Sequence, residues 1–168
     1  HFIVDIREEF GDWVIERFTN EYLAGRTPNP CVLCNTHIKW AALLRRADDL
    51  DCEYIATGHY ARVQHNEELD RYLLKRGLDR KKDQSYALWG LPQEHLARSI
   101  FPLGTYEKPE IRQMASDFGL DSVADKPDSY EICFVPDNDY GRFLRDRVDG
   151  LEERVSGGDI VLSDGTVV

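Results

Sequence analysis

Two prolines two residues apart, Pro28 and Pro30, decide what the centre of this chain can become. Each fixes φ near about −65° and removes an amide donor, so residues 27–30 can be neither helix interior nor central strand. The chain has to turn there. Directly beyond stand Cys31 and Cys34, a C-x-x-C pair, and then an apolar repeat in which Trp40, Leu43, Leu44 and Ala47 fall at i, i+3, i+4 and i+7. That spacing predicts an amphipathic helix over 35–49 with Asn35 as its N-cap. Cys34 would then lie at the positive end of the helix dipole, which favours a thiolate. A rigid turn, a helix start and a thiol together make a candidate reactive site.

On either side, helical and strand patterns alternate. Residues 2–5 read as a short buried strand. Residues 7–24 read as a helix with Phe10, Val14, Phe18 and Tyr22 on one stripe and Gly25 as its stop. Residues 54–59 read as a strand running into a loop, and 60–65 and 71–76 as two strands joined by the polar turn 66–70. A polar loop over 81–85 precedes a helical run at 86–91, a short helix at 93–99 and a turn at 101–104. The next helix follows Pro109, repeats Ile111, Met114, Ala115 and Phe118, and closes at Gly119. Then come a polar loop over 125–129, an apolar strand over 130–135 carrying Cys133, and a helix over 139–147. The last stretch, 156–168, reads as strand, tight turn, strand. These patterns predict an α/β domain with a mainly parallel sheet, and a boundary near 137–150 before a small β unit. Chemistry in such sheets gathers at the carboxyl ends of the strands, where Gly58 and His59 fall.

The net charge of −10 over 168 residues argues against nonspecific nucleic-acid binding by the whole surface, though not against a local basic patch. No apolar run approaches the roughly twenty residues that span a bilayer. With no secretory signal, the four cysteines point to a reducing compartment, where they read as catalytic or metal-binding. The C-x-x-C pair alone suits a redox pair or half of a zinc site, with Cys133, His59 or His37 as further ligands. Cys52 reads as a packing residue. Gly58 and His59 offer either a close backbone approach with a ring donor or a plain turn. Lys81, Lys82, Asp83, Gln84 and Ser85 offer either a grip on a phosphate backbone or base edge, or a solvated loop. The chain opens in what reads as a strand already in progress and closes in another, so a piece of a longer protein is expected.

Several of these motifs recur in one order: Gly25-Arg26-Thr27-Pro28-Asn29-Pro30-Cys31-Val32-Leu33-Cys34-Asn35, Ala56-Thr57-Gly58-His59-Tyr60-Ala61-Arg62, Lys82-Asp83-Gln84-Ser85-Tyr86, Phe101-Pro102-Leu103-Gly104, and Lys126-Pro127-Asp128-Ser129 with Glu131-Ile132-Cys133-Phe134. In that order, from end to end, the chain closely resembles the tRNA-specific 2-thiouridylases (MnmA/TrmU). The resemblance implies a Rossmann-like α/β PP-loop ATP-pyrophosphatase domain over 1–140, then a linker and the start of a small central β domain over 141–168. It implies that ATP, with Mg2+, adenylates the C2 oxygen of a wobble uridine in the tRNA anticodon stem-loop, and that a cysteine persulfide then replaces that oxygen with sulfur. Carried over by motif, Cys133 bears the persulfide and Cys34 is the other catalytic cysteine. Gly58 contacts ATP, His59 and Lys82-Asp83-Gln84 touch tRNA, and Asn29-Pro30-Cys31 lies at the target base. A sulfur-donor protein, either a persulfide relay or a cysteine desulfurase, is implied as a partner, with no membrane. A bacterial cytoplasm is expected, or a mitochondrial matrix. The family's Ser-Gly-Gly-Val-Asp-Ser-Ser phosphate loop is not in this sequence and is expected upstream of His1. Many members carry Asp where this chain has Cys31. With Cys31 present, convergence of Cys31, Cys34 and Cys133 would suit an iron–sulfur cluster with one open iron.

Overall fold

The computed structural model describes residues 1–127, 132–155 and 157–168. The chain divides into two units, His1–Asp128 and Ser129–Val168, a division that falls ahead of the 137–150 window the composition suggests.

In the first unit the apolar stripe of residues 7–24 does build a helix. Helix α1 runs through Arg7–Phe10, a π-helical stretch Gly11–Glu16, and Arg17–Leu23. Val14 and Phe18 are buried on its inner face, and the Phe18 and Tyr22 rings meet edge to face at 4.9 Å. Gly25, at φ +72°, ends it, because only glycine takes that left-handed turn at no steric cost. Residues 2–5 do not form the expected strand: Phe2, Ile3 and Val4 are exposed. A strand exists only by pairing its amides and carbonyls with a neighbour, and no described strand lies beside this one.

Helix α2 starts earlier than the apolar repeat implies. It runs through Pro30–Leu33, a second π-helical stretch Cys34–Lys39, and Trp40–Asp49. Its N-cap is Asn29, not Asn35: the Asn29 side chain accepts from the Cys31 amide at 3.2 Å. Pro30 occupies the first helical position, where its missing N–H costs nothing. Trp40, Leu44 and Ala47 are buried as the repeat predicts, while Leu43 stays exposed.

The sheet is smaller and more mixed than expected. Strand β1, Ile55–Ala56, pairs in parallel with β4, Ser99–Ile100. The hairpin β2, Ala61–Asn66, and β3, Arg71–Arg76, is antiparallel, with Ala61 opposite Arg76 and Asn66 opposite Arg71. The core gathers Trp40, Leu44, Ile55, Ala61, Leu88 and Phe101 among its buried residues, with Val63, Tyr72 and Leu74 of the hairpin packed against it. The run 86–91 gives only a 3-10 turn, Ser85–Ala87, followed by turns. Helix α3, Gln93–Ala97, stops before 99, because Ser99 and Ile100 are taken up by the parallel pair. A 3-10 turn, Pro102–Thr105, leads to α4, Lys108–Asp117, whose capping box joins Glu107 and Glu110. None of its residues is buried, and Met114 and Phe118 face solvent. A short helix α5, Asp121–Ala124, follows.

In the second unit, Cys133 and Phe134 lie in a turn rather than in the expected strand, with the Val135 amide bonded to the Ile132 carbonyl at 3.0 Å. Residues 128–131 of that motif lie outside the described residues. Helix α6, Tyr140–Arg145, is capped by Asp139, which accepts from the Arg142 amide at 2.8 Å. Helix α7, Leu151–Val155, has no counterpart in the sequence reading. The terminal strand–turn–strand is reduced to a single antiparallel bridge, Val161 to Val167.

Candidate functional site

Starting the helix at Pro30 changes the setting of the C-x-x-C pair. Cys31 is in the first turn and exposed; Cys34 opens the π-helical stretch, one turn further in, and is buried. The positive end of the helix dipole fades within the first turn, so it acts on Cys31 more than on Cys34. What holds Cys34 is packing. The next residue, Asn35, is buried and donates its Nδ2 to the Ala87 carbonyl at 3.0 Å. Asn35 Oδ1 and the Thr36 hydroxyl are buried with no hydrogen-bond partner among the described residues. On the outer face His37 stacks on Trp13 of α1 at 4.4 Å, and the Arg17 guanidinium lies over the same indole at 4.5 Å. Cys133 is exposed in its turn in the second unit, and Cys52 is exposed after α2. Among the described residues, no three His, Cys, Asp or Glu side chains gather where they could hold a metal ion.

Gly58 and His59 stand at the carboxyl end of β1, as the strand reading predicts. A Cβ on Gly58 would meet only Leu103 Cδ1 at 3.7 Å, so the backbone there is open to an approaching group. The His59 ring lies 5.6 Å from Trp40 of α2 and 6.3 Å from Phe101. The helix that carries the cysteines is thus docked on the strand end that carries Gly58 and His59. Thr57 Oγ1 is 2.9 Å from His59 Nδ1; with the hydroxyl donating, the neutral ring keeps its proton on Nε2. Burial, and secondarily the charge of Lys39, pushes the His59 pKa down from 6.5 to about 4. His59 is neutral at pH 7 and offers one hydrogen bond rather than a charge.

This has a measurable consequence. Between 6.5 and about 4 the unfolded chain takes up a proton at His59 that the folded chain refuses. His59 therefore removes stability as pH falls through that window and is indifferent above it. The His59 ring protons are expected to titrate in an NMR series with a midpoint near 4, and His59→Gln is expected to flatten that part of the stability profile. A midpoint near 6.5 would contradict the buried setting.

The loop Lys82-Asp83-Gln84 is pinned beside His59. The Tyr60 amide donates to Gln84 Oε1 at 3.1 Å, and the Gln84 amide returns a bond to the Tyr60 carbonyl at 2.9 Å. Asp83 accepts from the Gly77 amide at 2.8 Å and from the Ser85 hydroxyl at 2.9 Å. Asp83 and Gln84 thus spend polar atoms on shaping the loop. Sequence reading passed over Thr57, Trp13 and Arg17. A hydroxyl two residues before a histidine was the signal for Thr57; the contact of Trp13 and Arg17 with α2 is tertiary and leaves no local trace.

Residues 1–137 match the family model described as the tRNA methyl transferase HUP domain. The chain is 85% identical over its whole length to a protein of Salinibacter ruber named tRNA-specific 2-thiouridylase MnmA. Proteins of the same name from Amoebophilus asiaticus and Cytophaga hutchinsonii are 67% and 62% identical, again over the whole chain. The chain spans 44%, 44% and 45% of these three relatives, respectively. Among the described residues, no helix is long and apolar enough to cross a membrane.

Proposed function

The chain belongs to the tRNA methyl transferase HUP-domain family, and we infer from that membership that the full-length protein is an ATP-dependent tRNA 2-thiouridylase. Its fold is α/β, of the Rossmann-like PP-loop type. The observation that carries the functional reading is the docking of the C-x-x-C helix on the strand end with Gly58 and His59, through Trp40. In α/β sheets that end is where ligands are handled. In this reading residues 1–140 are part of the catalytic domain, and 141–168 lead into a small β domain.

The chemistry divides among named groups. A uridine carbonyl oxygen is a poor leaving group; transfer of AMP from ATP, with Mg2+, makes it a good one and releases pyrophosphate. The Gly58 backbone, unshielded by a side chain, lies against the nucleotide. Cys133 carries a persulfide loaded by a sulfur-donor protein. Its terminal sulfur attacks C2, and AMP departs with the former carbonyl oxygen. The Cys34 thiolate then attacks Cys133 Sγ, the sulfur–sulfur bond breaks, and 2-thiouridine leaves with a Cys34–Cys133 disulfide behind it. A dithiol reductant resets the pair. Asn29, Pro30 and Cys31 face the target base, and neutral His59 with the Lys82-Asp83-Gln84 loop meets the anticodon stem-loop. The bacterial cytoplasm supplies tRNA, ATP and reductant together.

The test uses the full-length protein, an unmodified tRNA transcript, ATP and a persulfide donor. Mass spectrometry of the digested tRNA is expected to show 2-thiouridine, with AMP and pyrophosphate released in step. A methylated uridine, or no modified uridine, would overturn the assignment.

A further inference from the structure

A second feature lies at the open end of the hairpin, beside the Lys82–Ser85 loop. Leu74, Arg76, Arg80, Tyr86 and Trp89, with Asp83 and Ser85, line a cleft of about 570 Å3. Trp89 is 73% exposed and Tyr86 56% exposed, unusual for two large rings three residues apart. Neither ring is stacked on another aromatic group among the described residues. Arg76 and Arg80 have no ion-pair partner among the described residues, and both are exposed.

The charge around this cleft runs against that of the chain. Residues 71–82 hold six Lys or Arg and a single acid, Asp79, within a molecule of net charge −10. The Asp79 carboxylate is consumed internally, accepting from the backbone amides of Lys108 at 3.0 Å, Lys81 at 2.9 Å and Lys82 at 3.2 Å. Asp83, the acid in the cleft wall, is bound by the Gly77 amide and the Ser85 hydroxyl. What remains facing outward is two guanidinium groups and two aromatic faces. Guanidinium groups beside open rings are the elements with which proteins hold unpaired nucleotides, the first on phosphates and the second under bases.

We propose that the Arg76–Arg80–Tyr86–Trp89 cleft holds unpaired RNA nucleotides, a base stacking on Trp89 and its flanking phosphates paired with Arg76 and Arg80. The proposal rests on the tRNA reading above and adds to it a stacking subsite built on Trp89, Arg76 and Arg80, which that reading leaves unassigned, one that grips the loop of the substrate. A duplex has no free base face to offer, so the cleft discriminates looped from fully paired RNA.

The test measures binding of the full-length protein to a fluorescent RNA hairpin with an open loop, and to a blunt duplex of the same stem. Trp89→Ala is expected to weaken hairpin binding about thirtyfold, the middle of the range for one lost stacked base, and to leave duplex binding unchanged. Trp89→Phe, which keeps a ring, is expected to restore most of the loss. Arg76→Ala and Arg80→Ala are each expected to lower the slope of log affinity against log salt by about 0.7, one phosphate contact apiece on a single strand. These side chains are exposed, so the variants keep the wild-type melting curve. Wild-type hairpin affinity in Trp89→Ala overturns the stacking subsite while leaving the tRNA reading intact, and a cleft made for a peptide would give that result. No hairpin binding by the wild-type protein overturns both.

Discussion

Exchanging Cys34 for serine in the full-length protein is expected to cut 2-thiouridine formation by more than about a hundredfold, with tRNA affinity changed by less than about twofold. Serine has nearly the same shape, and Cys34 is packed inside α2 beside Asn35, whose amide is tied to the Ala87 carbonyl. The site should therefore keep its form while losing the thiol. In the proposed cycle that thiol is the group that breaks the bond between Cys133 and the transferred sulfur. Without it the base stays attached to the enzyme through a disulfide, so a covalent tRNA–protein adduct should accumulate and dissolve on adding dithiothreitol. Turnover at the wild-type rate in Cys34→Ser would remove Cys34 from the mechanism. The same loss without any adduct would place its role before sulfur transfer.

The largest expected loss of stability comes from a residue with no side chain. A Cβ on Gly104 would stand 1.7 Å from the Ala61 carbonyl oxygen and 2.9 Å from Arg62 Cγ. Ala61 is fully buried at the start of β2 and belongs to the core. The Pro102–Thr105 turn is itself fixed, its Gly104 amide bonded to the Phe101 carbonyl and its Gly104 carbonyl accepting from the Leu78 amide. Neither side can yield without breaking one of these bonds or opening the core. Gly104→Ala is expected to cost more than about 4 kcal/mol, a large part of the usual 5–15 kcal/mol of a domain. Urea unfolding of the full-length variant reads this as a lowered midpoint or a loss of soluble protein. Gly11→Ala is the control of opposite sign: Gly11 is helical, nothing lies within 4 Å of its Cβ position, and the change should add about 0.5–1 kcal/mol. A Gly104→Ala midpoint close to wild type would show that the turn and the hairpin are not in fixed contact.

Periodicity served well where one face of an element is buried over several turns. The stripe of Val14 and Phe18 and that of Trp40, Leu44 and Ala47 were legible for that reason. The start of α2 was misplaced by six residues because Asn35 stands at the head of the apolar repeat, while Asn29-Pro30, an N-cap followed by the favoured first residue, begins the helix before any apolar repeat is needed. Strands were legible as a hairpin, where alternation and a polar turn are local, and as β1 within 54–59, but not as β4, whose two residues are defined by a partner more than forty positions away. Ile111, Met114 and Phe118 repeat as a buried face should, yet none is buried, since spacing predicts a face and not what covers it. Of the candidate site, Gly58 and His59 followed from the strand rule, and the cysteines were found by motif. The neutral state of His59 and the inward packing of Cys34 depend on Trp40 and Ala87, which no local pattern connects to them.

The π-helical stretch Cys34–Lys39 separates the two halves of α2: ahead of it lie Asn29, Pro30 and Cys31, and behind it the Trp40 half locked into the core. A π turn is an α-helix with one residue inserted, and one residue is worth about 100° of rotation about the axis. The insertion therefore acts as an angular offset between the cysteine-bearing tip and its anchor. Wound as a regular helix with the same number of residues, and with the core face of Trp40, Leu44 and Ala47 held in register, α2 would carry its thiols about a quarter of a turn around the axis from where the wide turn sets them. The direction in which the cysteines point is set by the winding of this stretch, separately from the packing that holds the helix in place.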